Sequence, residues 1–357
     1  MSVERSIPPQ AASLRGIARD GISTSGVNEA DASELVLHRG DLVEVRSPRE
    51  ILATLDAEGR LDGLPFMPEM VSFCGRRYPV RRRADKICDT VDYSGSRRLH
   101  HGVILDELRC DGSAHDGCQA ECRLFWKTAW LRRVSPADAP APPFSPQDAE
   151  ALRARTTGFT RTVTESNGKS EVTYRCQNTE LPRATEYLSV WDPRPYVTEW
   201  LSGNVSLGHF LTVTTRAAIT EPMRKLGMLP EIHLPGSAQK DERFPALDLK
   251  PGEWVRVKSR EEIARTLTAD GRSLGMWFDR EMLPYCGGVY QVRQRITRFI
   301  HERNGKMMTP KTAPVTLEGV VCSGDRSICR WFCPREIFPY WREFWLERVP
   351  PPANGSR

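Results

Sequence analysis

The stretch GDLVEVRSPREILATLDAEGRLDGLPFMPEMVSFCG, residues 40–75, is written a second time as GEWVRVKSREEIARTLTADGRSLGMWFDREMLPYCG, residues 252–287. Gly40, Val43, Val45, Ser47 and Ile51 meet Gly252, Val255, Val257, Ser259 and Ile263 at one fixed offset. Outward from this stretch the register holds: Tyr78, Val80 and Arg83 face Tyr290, Val292 and Arg295, and Cys110 faces Cys322. The copies close alike, on Trp130, Leu131, Arg133 and Val134 and on Trp345, Leu346, Arg348 and Val349. Self-similarity at a constant separation marks a duplicated unit. The copies span 38–134 and 250–349.

Each copy opens with a short alternating strand, Asp41 to Val45 or Glu253 to Val257, entered through a glycine. A helical turn follows, Pro48 to Leu55 or Arg260 to Leu267, which Ser47 or Ser259 can cap. Tyr78 to Arg83, Val103 to Leu108, Tyr290 to Arg295 and Val315 to Val321 read as further strands. Short strands with one small helix predict a mainly β protein of two tandem SH3-like barrel repeats. The opening Gly-Asp-Leu-Val-Glu-Val at 40–45 and Pro-Gly-Glu-Trp-Val-Arg-Val at 251–257 resemble the first strand of KOW-type and related SH3-like domains.

Around the copies, residues 1–37 are Ser-, Ala- and Gly-rich and read as a disordered tail, and 350–357 as a second tail. Residues 135–150 begin with SPADAPAPPFSP, a proline-dense spacer. Residues 151–249 form a partly helical connecting segment. In it Glu171 to Tyr174 reads as a strand, and Pro193 to Leu201 and Ser206 to Lys225 as helices parted by a turn at Ser202-Gly203-Asn204. The second helix has an apolar face, Leu207, Phe210, Leu211, Val213, Ala217 and Ala218, that must dock on the rest of the chain or on a partner. Two Tyr-Cys-Gly-like halves joined through Trp191-Asp192-Pro193-Arg194 and Ser202 to Ser206 resemble an uncharacterised family of bacterial proteins with two SH3-like, cysteine-containing halves. That resemblance implies architecture and carries no activity over.

With 39% apolar and 27% charged residues in 357, the composition is that of a globular protein, and no apolar run reaches membrane-spanning length. A formal charge of +5 is too small to mark a nucleic-acid protein by itself. The first residues carry Glu4 and Arg5 without an apolar run, so no secretory signal is expected and the expected compartment is the cytoplasm. There, ten cysteines point to core filling, metal or redox chemistry more than to permanent disulfides.

The cysteines carry the chemical signal. Cys110, Cys118 and Cys122 are spaced C-x7-C-x3-C, and Cys322, Cys329 and Cys333 C-x6-C-x3-C. Four-residue spacing on a helical turn would bring the last two sulfurs of each triplet to one face. The first cysteine precedes Asp111-Gly112 or Ser323-Gly324, a turn whose amides can point at a thiolate. Tetrahedral zinc takes four such ligands, so each triplet needs one more. Cys88, on a neighbouring strand, is the expected fourth ligand of the first copy, with His115, His100 and His101 behind it. Ile300 fills the equivalent place in the second copy, which leaves His301 or Cys176. An iron–sulfur cluster is the alternative cofactor. Cys74 and Cys286, in a shared Cys-Gly turn, are expected as core fillers.

Phosphate-cradling G-x4-G-K-[ST], G-x-G-x-x-G, H-E-x-x-H and G-x-S-x-G motifs are absent, as is C-x-x-C. No Cys–His pairing recurs in both copies, and no catalytic residue is assigned. The expectation is a non-enzymatic, zinc-containing tandem-barrel scaffold or adaptor for a macromolecular partner, most readily a protein. The first alternative is an iron–sulfur or thiol-dependent redox enzyme or accessory protein. The second is a nucleic-acid-binding protein using Arg76, Arg77, Arg81, Arg82, Arg83, Lys86, Arg97 and Arg98. Asp85, Asp89 and Asp92 among these arginines favour a mixed-charge face, and Trp126, Trp130, Trp341 and Trp345 favour core anchors.

Overall fold

A computed structural model describes residues 35–352 apart from 93–94, 167, 190–191, 230–233, 241 and 328–329. The chain is mostly β, built of several antiparallel sheets. Residues 1–34 of the expected tail lie outside the described residues, and Leu37 beyond them is buried in the first core.

A five-stranded sheet runs in the order Arg123–Lys127, Gly102–Arg109, Arg77–Arg83, Leu42–Val45, Leu131–Arg133. A four-stranded sheet runs Val315–Leu317, Val289–Arg295, Trp254–Val257, Leu346–Arg348. Residues matched in the sequence pair alike: Leu42 faces Pro79 and Val43 faces Tyr78, as Trp254 faces Gln291 and Val255 faces Tyr290. Each second strand also carries a register break at the matched place, between Val80 and Arg82 and between Val292 and Gln294. An extra residue there sharpens the local twist and re-aims the chain.

The expected helical turns form at Pro48–Thr54 and Arg260–Ala264. Each opens with a capping box, Ser47 with Glu50 and Ser259 with Glu262, which satisfies amides that have no intrahelical partner. Alternation turns Val43 and Val45, or Val255 and Val257, inward onto a phenylalanine and two tryptophans. Phe66 packs edge to face on Trp130 at 5.1 Å, and Phe278 on Trp345 at 5.3 Å. Trp126, Trp130, Trp341 and Trp345 are all fully buried core anchors, and the indole N–H of Trp130 and of Trp345 donates to Thr54 and to Thr266.

The connecting segment seals the first sheet. In the helix Gln177–Ala184, the Gln177 side chain accepts from Phe125 N–H and donates to Phe125 carbonyl, both at 2.8 Å, as a missing neighbour strand would. This docking fixes Cys176 at the helix entrance. The helix Leu207–Lys225 buries Val213 and Ala217, and Phe210 stacks on Phe332 at 5.6 Å. It therefore covers the loop that carries the second cysteine triplet. Among the described residues no helix is long and apolar enough to cross a membrane.

Candidate metal centres

Cys110 leaves the strand Gly102–Arg109 and enters a turn at Gly112, whose N–H donates to Cys110 Sγ at 3.4 Å, as the sequence led us to expect. Gly112 holds φ near +74°, and a methyl group there would meet the Cys118 carbonyl oxygen. The turn thus needs glycine for both conformation and space. The second copy repeats it: Gly324 at φ +73° lies against the backbone of Arg330 and Cys333, and its amide hydrogen-bonds to Cys322.

Residues Cys118 to Cys122 form no helical turn, contrary to expectation. They are an irregular loop with Glu121 at φ +45°, leading straight into the strand Arg123–Lys127. That strand is fixed by the sheet, so the loop bends to meet it. Cys110 N–H donates to Cys122 carbonyl at 2.8 Å, which closes the loop on itself.

The thiol of Cys176 accepts amides from the first turn of its helix, and that of Cys118 accepts from Ala120 and, at 3.4 Å, from Ile300. Burial pushes the Cys110, Cys118 and Cys122 thiols up, and Cys176 up to about 12. Mutual repulsion among these four sites adds to the shift, so they share one electrostatic pocket. No three of these sulfurs lie within 4.8 Å of one another: the thiols are gathered, not drawn onto one point.

Among the described residues, the group whose ligand atoms do meet that limit is Glu69, Cys110 and His115, which could hold a metal ion. Cys110 donates to Glu69 Oε1 at 3.2 Å. Arg175 carbonyl lies 3.2 Å from His115 Nε2, so Nε2 is the donor there and Nδ1 is the ring atom left for a ligand. Both His115 Nδ1 and Glu69 Oε2 are buried with no hydrogen-bond partner among the described residues. Burial raises the Glu69 carboxyl against the pull of His115. At the matched place in the second copy, Glu281 is satisfied by Ser323 Oγ, Arg326 N–H and Ser327 Oγ at 2.7–3.0 Å. One carboxylate is saturated and its counterpart is open, which fits a cation at the open one. Glu69 and Glu281 were visible only as a repeated pair; the exchange of His115 for Ser327 was the signal that could have singled out the first.

The remaining candidates fall elsewhere. Cys88 is expected with Cys110, Cys118 and Cys122, but its N–H donates to Cys333 Sγ at 3.2 Å in the other copy. The reason is tertiary: the strand Ile87–Cys88 reaches across to the second copy. Burial raises the Cys322 thiol, which also feels Cys88. Cys329 lies outside the described residues. His301 is exposed at a turn, its N–H donating to Lys306 carbonyl at 2.9 Å. His100 pairs with Glu186 at 3.1 Å, and His101 is exposed. Cys74 is buried in the first core, its thiol pushed up to about 12 by burial. The nine described cysteines are all free thiols.

Most of the arginine run is paired. Arg77 binds Glu44, Arg81 binds Asp106 and Glu336, Arg83 binds Asp85, and Lys86 is buried beside Glu199. Compared with known proteins, the chain matches no family model, no curated protein and no solved structure.

Proposed function

We propose that the chain is a non-enzymatic scaffold or adaptor of two SH3-like barrel repeats, clamped by zinc, that presents two related surfaces to a macromolecular partner in the cytoplasm. The SH3-like reading is supported by sheet order: the first strand lies between the last and the second, and a 3-10 turn, Thr128–Trp130 or Glu343–Trp345, leads into the last. The observation that carries the metal reading is the doubled cysteine turn. In both copies a glycine at positive φ aims its amide at a thiol and presses on the segment bearing the next cysteines. Amide donors to sulfur stabilise the thiolate that a metal needs. Units of about 100 residues bury a limited share of their surface, and a structural zinc contributes on the order of 10 kcal/mol of apparent binding energy.

The pairing of the arginines and the burial of Trp126 and Trp130 weigh against a nucleic-acid groove, which needs unneutralised charge and exposed rings. Elemental analysis and visible absorption of protein purified without air test the proposal. Stoichiometric zinc in a colourless protein is expected. A brown, iron-containing protein would transfer the reading to the redox alternative, and a metal-free, fully folded one would end it.

A further inference from the structure

The two copies exchange short arms. The strand Ile87–Cys88 of the first lies on the 322–333 loop of the second: Cys88 N–H donates to Cys333 Sγ at 3.2 Å, Arg335 Nη1 donates to Cys88 carbonyl at 3.3 Å, and Lys86 Nζ donates to Trp331 carbonyl. The matched strand Phe299–Ile300 does the reverse, with Ile300 N–H donating to Cys118 Sγ at 3.4 Å and Arg298 carbonyl accepting from Gln119 N–H at 3.1 Å. At the matched position the arms differ in chemistry, cysteine against isoleucine. The thiol-bearing arm reaches the second copy's loop, while the first copy's loop shares its pocket with Cys176. Each triplet thus gains one cysteine from outside its own copy.

We propose that Cys88 of the first copy joins Cys322 and Cys333 of the second as ligands of one zinc ion, so that the metal under the second copy's loop also bonds the two copies together. This rests on the zinc reading above and adds the ligands' identity. Arg335 Nη1 also lies 3.9 Å from Cys88 Sγ, and Gly324, whose amide hydrogen-bonds to Cys322, lies against Cys333, so one turn brings the second copy's thiols toward the arm that carries Cys88. Zinc would displace the three thiol protons to water. Three thiolates on a divalent cation leave one excess negative charge, and the buried cations Lys86 and Arg335 stand beside the site to balance it.

The test counts zinc released by a mercurial from wild type, Cys88→Ser, Cys333→Ser, and the doubles Cys88→Ser/Cys333→Ser and Cys88→Ser/Cys110→Ser. Two equivalents are expected in wild type. Cys88→Ser and Cys333→Ser should each lose one, their double no more than one, and the double with Cys110→Ser both. Retention of one equivalent in that last variant, or of full zinc in Cys88→Ser, would overturn the proposal and leave the zinc reading standing. Zinc-free wild type would bring down both. Where a variant fails to fold, wild type answers: stepwise chelation should open Cys88 to alkylation in step with Cys322 and Cys333. Opening in step with Cys110 and Cys122 would refute the assignment.

Discussion

Gly112 lies so close to Cys118 that a methyl group on its Cα would sit 2.1 Å from the Cys118 carbonyl oxygen. Gly112→Ala must therefore push the loop away as well as strain a backbone at φ +74°. Strain alone costs about 1–3 kcal/mol. Gly168→Ala, at φ +70° with nothing within 4 Å, supplies that baseline. In urea titrations Gly112→Ala and Gly324→Ala should both fall below Gly168→Ala and lose zinc; equal stability in all three would show that the close approach is not needed.

Thr54→Val and Thr266→Val each remove the acceptor of a buried tryptophan N–H while keeping side-chain volume. Leaving such a donor unsatisfied costs about 1–3 kcal/mol. The two variants should shift the urea midpoint by similar amounts, since the Trp130 and Trp345 environments correspond. A loss in one copy only would show that the cores differ in tolerance.

Glu336 sits between Arg81 and Arg123 at 2.7–2.9 Å, and these charges outweigh its burial to hold its carboxyl low. A depressed carboxyl contributes stability that is present above its unfolded value and is lost as pH falls through the folded one. Glu336→Gln should destabilise the protein at pH 7 by about 3 kcal/mol, the low end for a broken buried pair because Arg81 is half-exposed. It should also flatten the acid limb of a thermal-stability profile; an unchanged limb would remove Glu336 from the acid response.

The thiols give the opposite sign. Cys74 and Cys176 are pushed up to about 12, so the metal-free fold holds their protons more tightly than the unfolded chain does. That stability is intact below the unfolded thiol value of about 8.5 and drains away as pH rises toward the folded values. The melting temperature of the chelated protein should fall between pH 8 and 10, and zinc should remove most of the slope. Zinc affinity should conversely weaken as pH drops, because protons compete for sulfur. A metal-free protein with a flat alkaline profile would show that the thiols do not titrate with unfolding.

Repetition at a fixed offset made the strands, the serine caps and the tryptophan anchors legible, because each depends on local pattern tested twice. The cysteine turn was legible for the same reason: a glycine two residues after a cysteine dictates where an amide points. Cys118 and Cys122 misled because four-residue spacing is ambiguous until the strand at Arg123 is known to claim the chain. The placement of Cys88 was out of reach, since nothing along a single strand says which copy it will lie against. The orphaned Glu69 and His115 atoms are likewise a property of packing, visible only once the satisfied Glu281 stands beside them for comparison.

Because Ile87–Cys88 and Phe299–Ile300 cross over, a gene shortened to either half would encode a product whose cysteine loop has lost its roof. Solvent would reach sulfurs that the intact chain keeps covered, and oxidation would follow. Each cysteine loop is therefore completed by residues some two hundred positions away, in the other copy.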